Sequence, residues 1–79
     1  MKVPRDLDAK TLIKALEKYW GYRVVRQVGS HVRLETDEPT NHPVTVPAHS
    51  PIKIGTLNAI LRSIANHKQT TRDEILKKL

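Results

Sequence analysis

Apolar and polar positions change period along the chain. Leu12, Ile13, Leu16, Tyr19 and Trp20 recur at the spacing of an amphipathic helix, with Lys10, Lys14, Glu17 and Lys18 on the solvent side. Asp6 or Asp8 supplies its N-cap. Gly21 stands in the C′ position where helices end. At helical spacing with Leu12 and Leu16, Tyr19 and Trp20 fall in the core rather than on a surface for stacking bases.

From Tyr22 to Val28 the residues turn β-branched and aromatic, and Gly29-Ser30 marks a two-residue hairpin turn into a second strand, His31 to Thr36. A tight loop sets Val28 opposite His31, Gln27 opposite Val32, Arg26 opposite Arg33 and Val25 opposite Leu34. Side chains alternate along strands, so Val25, Val32 and Leu34 face the helix. The other face presents His31, Arg33, Glu35 and Arg26 to solvent. A one-residue slip would bury the arginines, which the cost of buried charge opposes.

Asp37 to Pro43 reads as a polar loop, and Val44-Thr45-Val46 as a short third strand with prolines at both limits, as suits a sheet edge. Leu57, Ile60, Leu61 and Ile64 define a second helix that begins at Gly55 or Thr56. A third, shorter helix runs from about Arg72 to the end, opened by the capping box Thr71-Arg72-Asp73-Glu74. The order α-β-β-β-α with an added C-terminal helix predicts an α+β, two-layer sandwich, a three-stranded antiparallel sheet with its helices on one face. Seventy-nine residues make a single domain, 1–79.

Composition narrows the function. Fourteen Lys and Arg against eight Asp and Glu give a formal charge of +6, a field that gathers polyanions, nucleic acid foremost. An anionic membrane surface or an acidic protein is a rival partner. The chain has no cysteine, which removes disulfides, thiolate metal sites and cysteine nucleophiles together. No apolar run follows the N-terminal residues and none approaches a membrane span, so a soluble cytoplasmic protein without a signal peptide is expected.

The inventory excludes most catalytic classes. Gly21, Gly29 and Gly55 stand one per junction and make no phosphate loop. His31, His42, His49 and His67 are separated by 11, 7 and 18 residues, which matches no metal-ligand pattern, and the carboxylates do not pair. No metal or other cofactor is expected. Histidine amid cations remains. In Gly29-Ser30-His31 the imidazole opens a strand on its exposed face, and an imidazole exchanges protons near neutrality. RNA brings its own nucleophile, the ribose 2′-hydroxyl, so cleavage needs only a base, positive charge at the phosphorus and an acid for the leaving oxygen. Arg23, Arg26 and Arg33 on the same hairpin suit phosphate contacts, or else they solvate the open sheet with Glu35. Ser30, beside His31, joins them as an RNA contact. His42 and His49, read as loop residues flanking the third strand, are second proton donors or plain turn residues. His67 caps the second helix through its dipole. Thr56 is an N-cap or a phosphate donor.

These pieces form an ordered set. A helix ends at Gly21 before the aromatic Tyr22. Gly29-Ser30-His31 follows, then Val44-Thr45-Val46-Pro47, then Ile54-Gly55-Thr56-Leu57 opening a helix with Ile60-Leu61. From about residue 10 to 79 the chain resembles the HicA (YcfA-like) toxins of type II toxin–antitoxin systems. The resemblance implies a fold like that of double-stranded-RNA-binding domains and a ribosome-independent mRNA interferase activity. It also implies a HicB-type antitoxin that covers the active site, and it puts the family's active-site histidine on His31. Many members carry a second histidine directly after it, where this chain has the inward-facing Val32. The alternatives are a non-catalytic RNA-binding module that reads duplex shape, and a protein whose basic face pairs only with an acidic partner.

Overall fold

The computed structural model describes residues 2–79. Helix α1 spans Ala9–Tyr19. Asp8 is its N-cap, the carboxylate accepting from the Thr11 amide at 2.8 Å, which satisfies one of the donors a helix start leaves open. Gly21 adopts φ +73°, the left-handed turn that glycine takes most cheaply. The turn carries Tyr22 back under the helix, where its amide donates to the Leu16 carbonyl and its ring is buried.

Strands β1 (Arg23–Val28), β2 (His31–Thr36) and β3 (His42–Pro47) form an antiparallel sheet in the order β1-β2-β3. Gly29 takes φ +58° at the first central turn position, as a II′-type hairpin requires. The expected pairs Val28–His31, Gln27–Val32 and Arg26–Arg33 are present. Beyond them the register shifts. Val24 rather than Val25 lies opposite Leu34, so Val25 is the extra residue of a β-bulge and is exposed instead of facing the helix. As an outer strand β1 is paired on one side only and is not held in strict alternation, and all its residues are exposed.

β2 is central and alternates as read: Val32, Leu34 and Thr36 are buried, and Val32 faces inward as expected. β3 begins two residues before the expected strand, and His42 is a strand residue paired with Thr36 rather than part of a loop. Pro43 is tolerated because β3 is an edge, where a missing N–H costs no ladder bond.

Helix α2 (Ile54–Lys68) starts one residue before Gly55. Lys53 holds the N-cap position without a side-chain cap bond, so Thr56 is not the cap. Helix α3 (Arg72–Leu76) stops short of the end of the chain, and Thr71 caps it by accepting from the Glu74 amide at 3.2 Å. Leu12 and Leu16 of α1, Leu34 and Val46 of the sheet, Leu57, Leu61 and Ile64 of α2 and Ile75 of α3 meet in one core. The helices cover one face of the sheet, the two-layer α+β arrangement expected, and the other face stays open.

Candidate functional site

Directly opposed residues share a face, so the register orders the open side of the sheet in rows. His31 lies between Val28 and Pro47, Arg33 between Arg26 and Thr45, and Glu35 between Arg23 and Pro43. Arg26, Val28, His31, Arg33 and Thr45 line one shallow hollow of about 150 Å³. The His31 ring is exposed, and among the described residues nothing hydrogen-bonds or ion-pairs with it. Its position is fixed by the backbone instead. Gln27 Nε2 braces the turn by donating to the Gly29 carbonyl, and the Ala48 amide donates to the Ser30 carbonyl at 2.6 Å. An imidazole with both nitrogens open, beside two guanidinium groups, can exchange a proton with a ligand whose anionic oxygens the arginines hold.

The arginines are not equivalent. Arg23 pairs with Asp37 at 3.1 Å in an exposed pair, and Arg33 reaches Glu35 only at 3.9 Å in a half-buried one. Arg23 and an Asn41 amide together hold the Asp37 carboxyl below its ordinary pKa, the Asn41 hydrogen bond contributing most. Arg26 forms no ion pair among the described residues. The Arg26–Arg33 row beside His31 is therefore the least compensated part of this face. Ser30 is exposed in the turn next to His31.

A second cluster joins the start of β3 to the end of α2. His42 Nδ1 lies 2.8 Å from the Tyr22 hydroxyl, and His42 Nε2 lies 3.0 Å from Ser63 Oγ. With Tyr22 donating to Nδ1 and the Nε2 proton donated to Ser63, a neutral His42 satisfies every partner. His67 donates through Nε2 to the Thr40 carbonyl at 2.9 Å and stacks on His42 with ring centroids 4.3 Å apart. It thus ties α2 to the loop before β3 instead of capping its own helix. Lys68 donates to Thr36 Oγ1 at 2.9 Å and to the Glu38 carbonyl, and its ammonium lies 5.1 Å from the Tyr22 ring centroid.

Burial pushes the Tyr22 phenol up to about 12. Burial first, then the neighbouring His67 and Lys68 charges, holds His42 below its ordinary value, and burial also lowers Lys68. Beyond the aromatic residue after Gly21 nothing in the sequence marks this cluster, because the contacts that His42 makes with Tyr22 and Ser63 span 20 or more positions.

The remaining candidates lie elsewhere. His49 is exposed beside Lys10 in a separate surface hollow, and Thr56 is exposed in the first turn of α2. Trp20 is half-buried against the core, with its indole N–H unpartnered. Tyr19 is 46% exposed and is not a core residue. Among the described residues no group of His, Cys, Asp or Glu side chains could hold a metal ion, and no helix is long and apolar enough to cross a membrane.

The fold is a small basic α+β sandwich whose open sheet face carries an exposed imidazole beside the guanidinium groups of Arg26 and Arg33. The chain matches the family model described as HicA toxin of bacterial toxin-antitoxin over residues 9–66, well over half its length. It belongs to the HicA toxin family. Proteins of this family are the toxins of toxin–antitoxin systems, in general ribonucleases that act on mRNA, so an RNA substrate and an antitoxin partner follow in general terms. Neither the curated proteins nor the solved structures compared with the chain gave a match.

Proposed function

We propose that residues 1–79 form a single domain acting as a metal-independent endoribonuclease, an mRNA interferase in which His31 is the general acid–base. Arg26 and Arg33, with Arg23 and Ser30 further out, contact the RNA backbone. The observation that carries the reading is the hollow where the open His31 ring meets the Arg26–Arg33 row. Neutral His31 takes the proton of the ribose 2′-hydroxyl. The freed oxygen attacks the adjacent phosphorus, and the bond to the 5′-oxygen breaks, leaving a 2′,3′-cyclic phosphate and a 5′-hydroxyl. The imidazolium or a water protonates the departing oxygen. The arginines hold the phosphate oxygens as negative charge builds in the five-coordinate transition state. Because the nucleophile is supplied by the substrate, no metal-activated water is needed.

A HicB-type antitoxin covering this face would neutralise the toxin by occupying His31 and its arginines. The cytoplasm, where mRNA is met, is the compartment this activity requires.

Single-stranded RNA incubated with the protein in excess chelator tests the reading, together with growth on expression. Wild type should cleave and arrest growth, and His31→Ala should do neither while remaining folded and able to bind RNA. Equal toxicity of the two would remove the catalytic role. Binding without cleavage by wild type, strongest for duplex RNA, would leave a non-catalytic RNA-binding module.

A further inference from the structure

Tyr19 ends α1 on the side of the molecule away from the His31 face. Its ring stands in solvent, with Lys18 Nζ and Lys78 Nζ each 5.2 Å from the ring centroid. Beside it a surface hollow of about 240 Å³, lined by Lys14, Ala15, Lys18, Tyr19 and Lys78 among others, contains no Asp or Glu side chain. None of the three lysines forms an ion pair among the described residues. Lys10, Lys14 and Lys18 follow at four-residue intervals, so they rise along one flank of the helix in steps of about 6 Å. The core does not need the ring, and within the hollow Lys18 and Lys78 meet no Asp or Glu side chain.

We propose that this surface is a second RNA site, a platform on which Tyr19 stacks one base of a single strand while Lys14, Lys18 and Lys78 take the flanking phosphates. It rests on reading the chain as an RNA-directed protein. A base has a π-face whatever its identity, so one aromatic ring among cations binds single strands without sequence preference. A lysine displaced from the ring loses only a weak exposed cation–π contact and gains a phosphate. An acidic side chain engages the lysines alone, whereas each nucleotide supplies a phosphate and a π-face together. The described residues extend 31 × 30 × 19 Å along their principal axes, so a strand of modest length can engage this platform and reach the His31 face together.

The test is fluorescence anisotropy with a labelled single-stranded RNA, in a His31→Ala background so that the RNA stays intact. Adding Tyr19→Ala should weaken binding on the order of tenfold, and Tyr19→Phe, which keeps the stacking face, should stay within about twofold. Lys18→Gln and Lys78→Gln should each flatten the log–log salt dependence by about 0.7. Thermal melts confirm folding, which an exposed side chain does not govern. Affinity unchanged by Tyr19→Ala overturns the platform, as does a loss seen only with the lysine variants. The two readings fail separately. Without wild-type cleavage, Tyr19-dependent binding still stands, whereas His31-dependent cleavage with binding indifferent to Tyr19 overturns the platform alone.

Discussion

His31 and His42 open adjacent strands, yet they lie at opposite ends of the β2–β3 pair and on opposite faces of the sheet. His31 is the first residue of β2 and faces Pro47 on the open side, whereas His42 faces the buried Thr36 at the far end. Five residues along a strand put them roughly 17 Å apart. His42 has both ring nitrogens engaged, by Tyr22 and Ser63, and a second imidazole stacked on it. His31 has neither nitrogen engaged among the described residues. An imidazole that is to carry a proton to a ligand needs a free nitrogen; one that is to hold elements together needs none. The same side chain therefore suits different tasks, separated by what its neighbours leave unused.

The largest expected effect comes from removing the open ring. His31→Ala should lower the rate of RNA cleavage by about 10²–10⁴-fold, the usual contribution of a positioned acid–base group. The melting temperature should stay within a degree or so of wild type, because no partner is lost. Cleavage assays and thermal melts on the same samples check both halves. A large fall in melting temperature would mean that His31 holds the turn together and would dissolve the contrast.

Removing the engaged ring should do the reverse. His42→Ala leaves the Tyr22 hydroxyl buried without its acceptor, a loss of about 1–3 kcal/mol. For a chain of this size each kcal/mol lowers the melting temperature by roughly 4–8 °C. Tyr22→Phe leaves no buried hydroxyl and frees only the His42 Nδ1 of a half-buried ring, which water can reach, so it should cost less, about 1 kcal/mol. Cleavage per folded molecule should be unchanged in both. Should His42→Ala abolish cleavage at a temperature where the protein is fully folded, the cluster would belong to the chemistry.

How far each region could be read from sequence follows the same division. The His31 turn is local: Gly29-Ser30 dictates the hairpin, and pairing outward from it places Arg26 and Arg33 together. Alternation in β2 was legible because burial under the helices enforces it. Val25 departs from the expected alternation because an edge strand absorbs an extra residue there. Tyr19 departs from the expected core, because the buried residues of α1 stop at Leu16 while the helix runs on. The His42 cluster depends on the start of β3 meeting the end of α2, and no periodicity within either segment reports a tertiary meeting of polar groups.

The smallest expected effect is on pH dependence, and it separates the two histidines without altering a contact at His31. The folded protein holds His42 below its ordinary value of 6.5, chiefly by burial and then by the His67 and Lys68 charges. As pH falls through about 6.5 the unfolded chain takes up a proton at this position that the folded chain refuses. The unfolded state then binds more protons, so stability declines with acidification until the depressed folded value is reached. The Asp8 and Asp37 carboxyls, also held below their ordinary 3.8, contribute only at lower pH. The decline is modest because the His42 ring keeps some contact with water. Melting temperatures compared at about pH 7.5 and 5.5 should show it in wild type and in His31→Ala, and His42→Gln should show less of it. If His31→Ala flattens the profile and His42→Gln leaves it intact, the open ring and the engaged ring have been assigned the wrong way round.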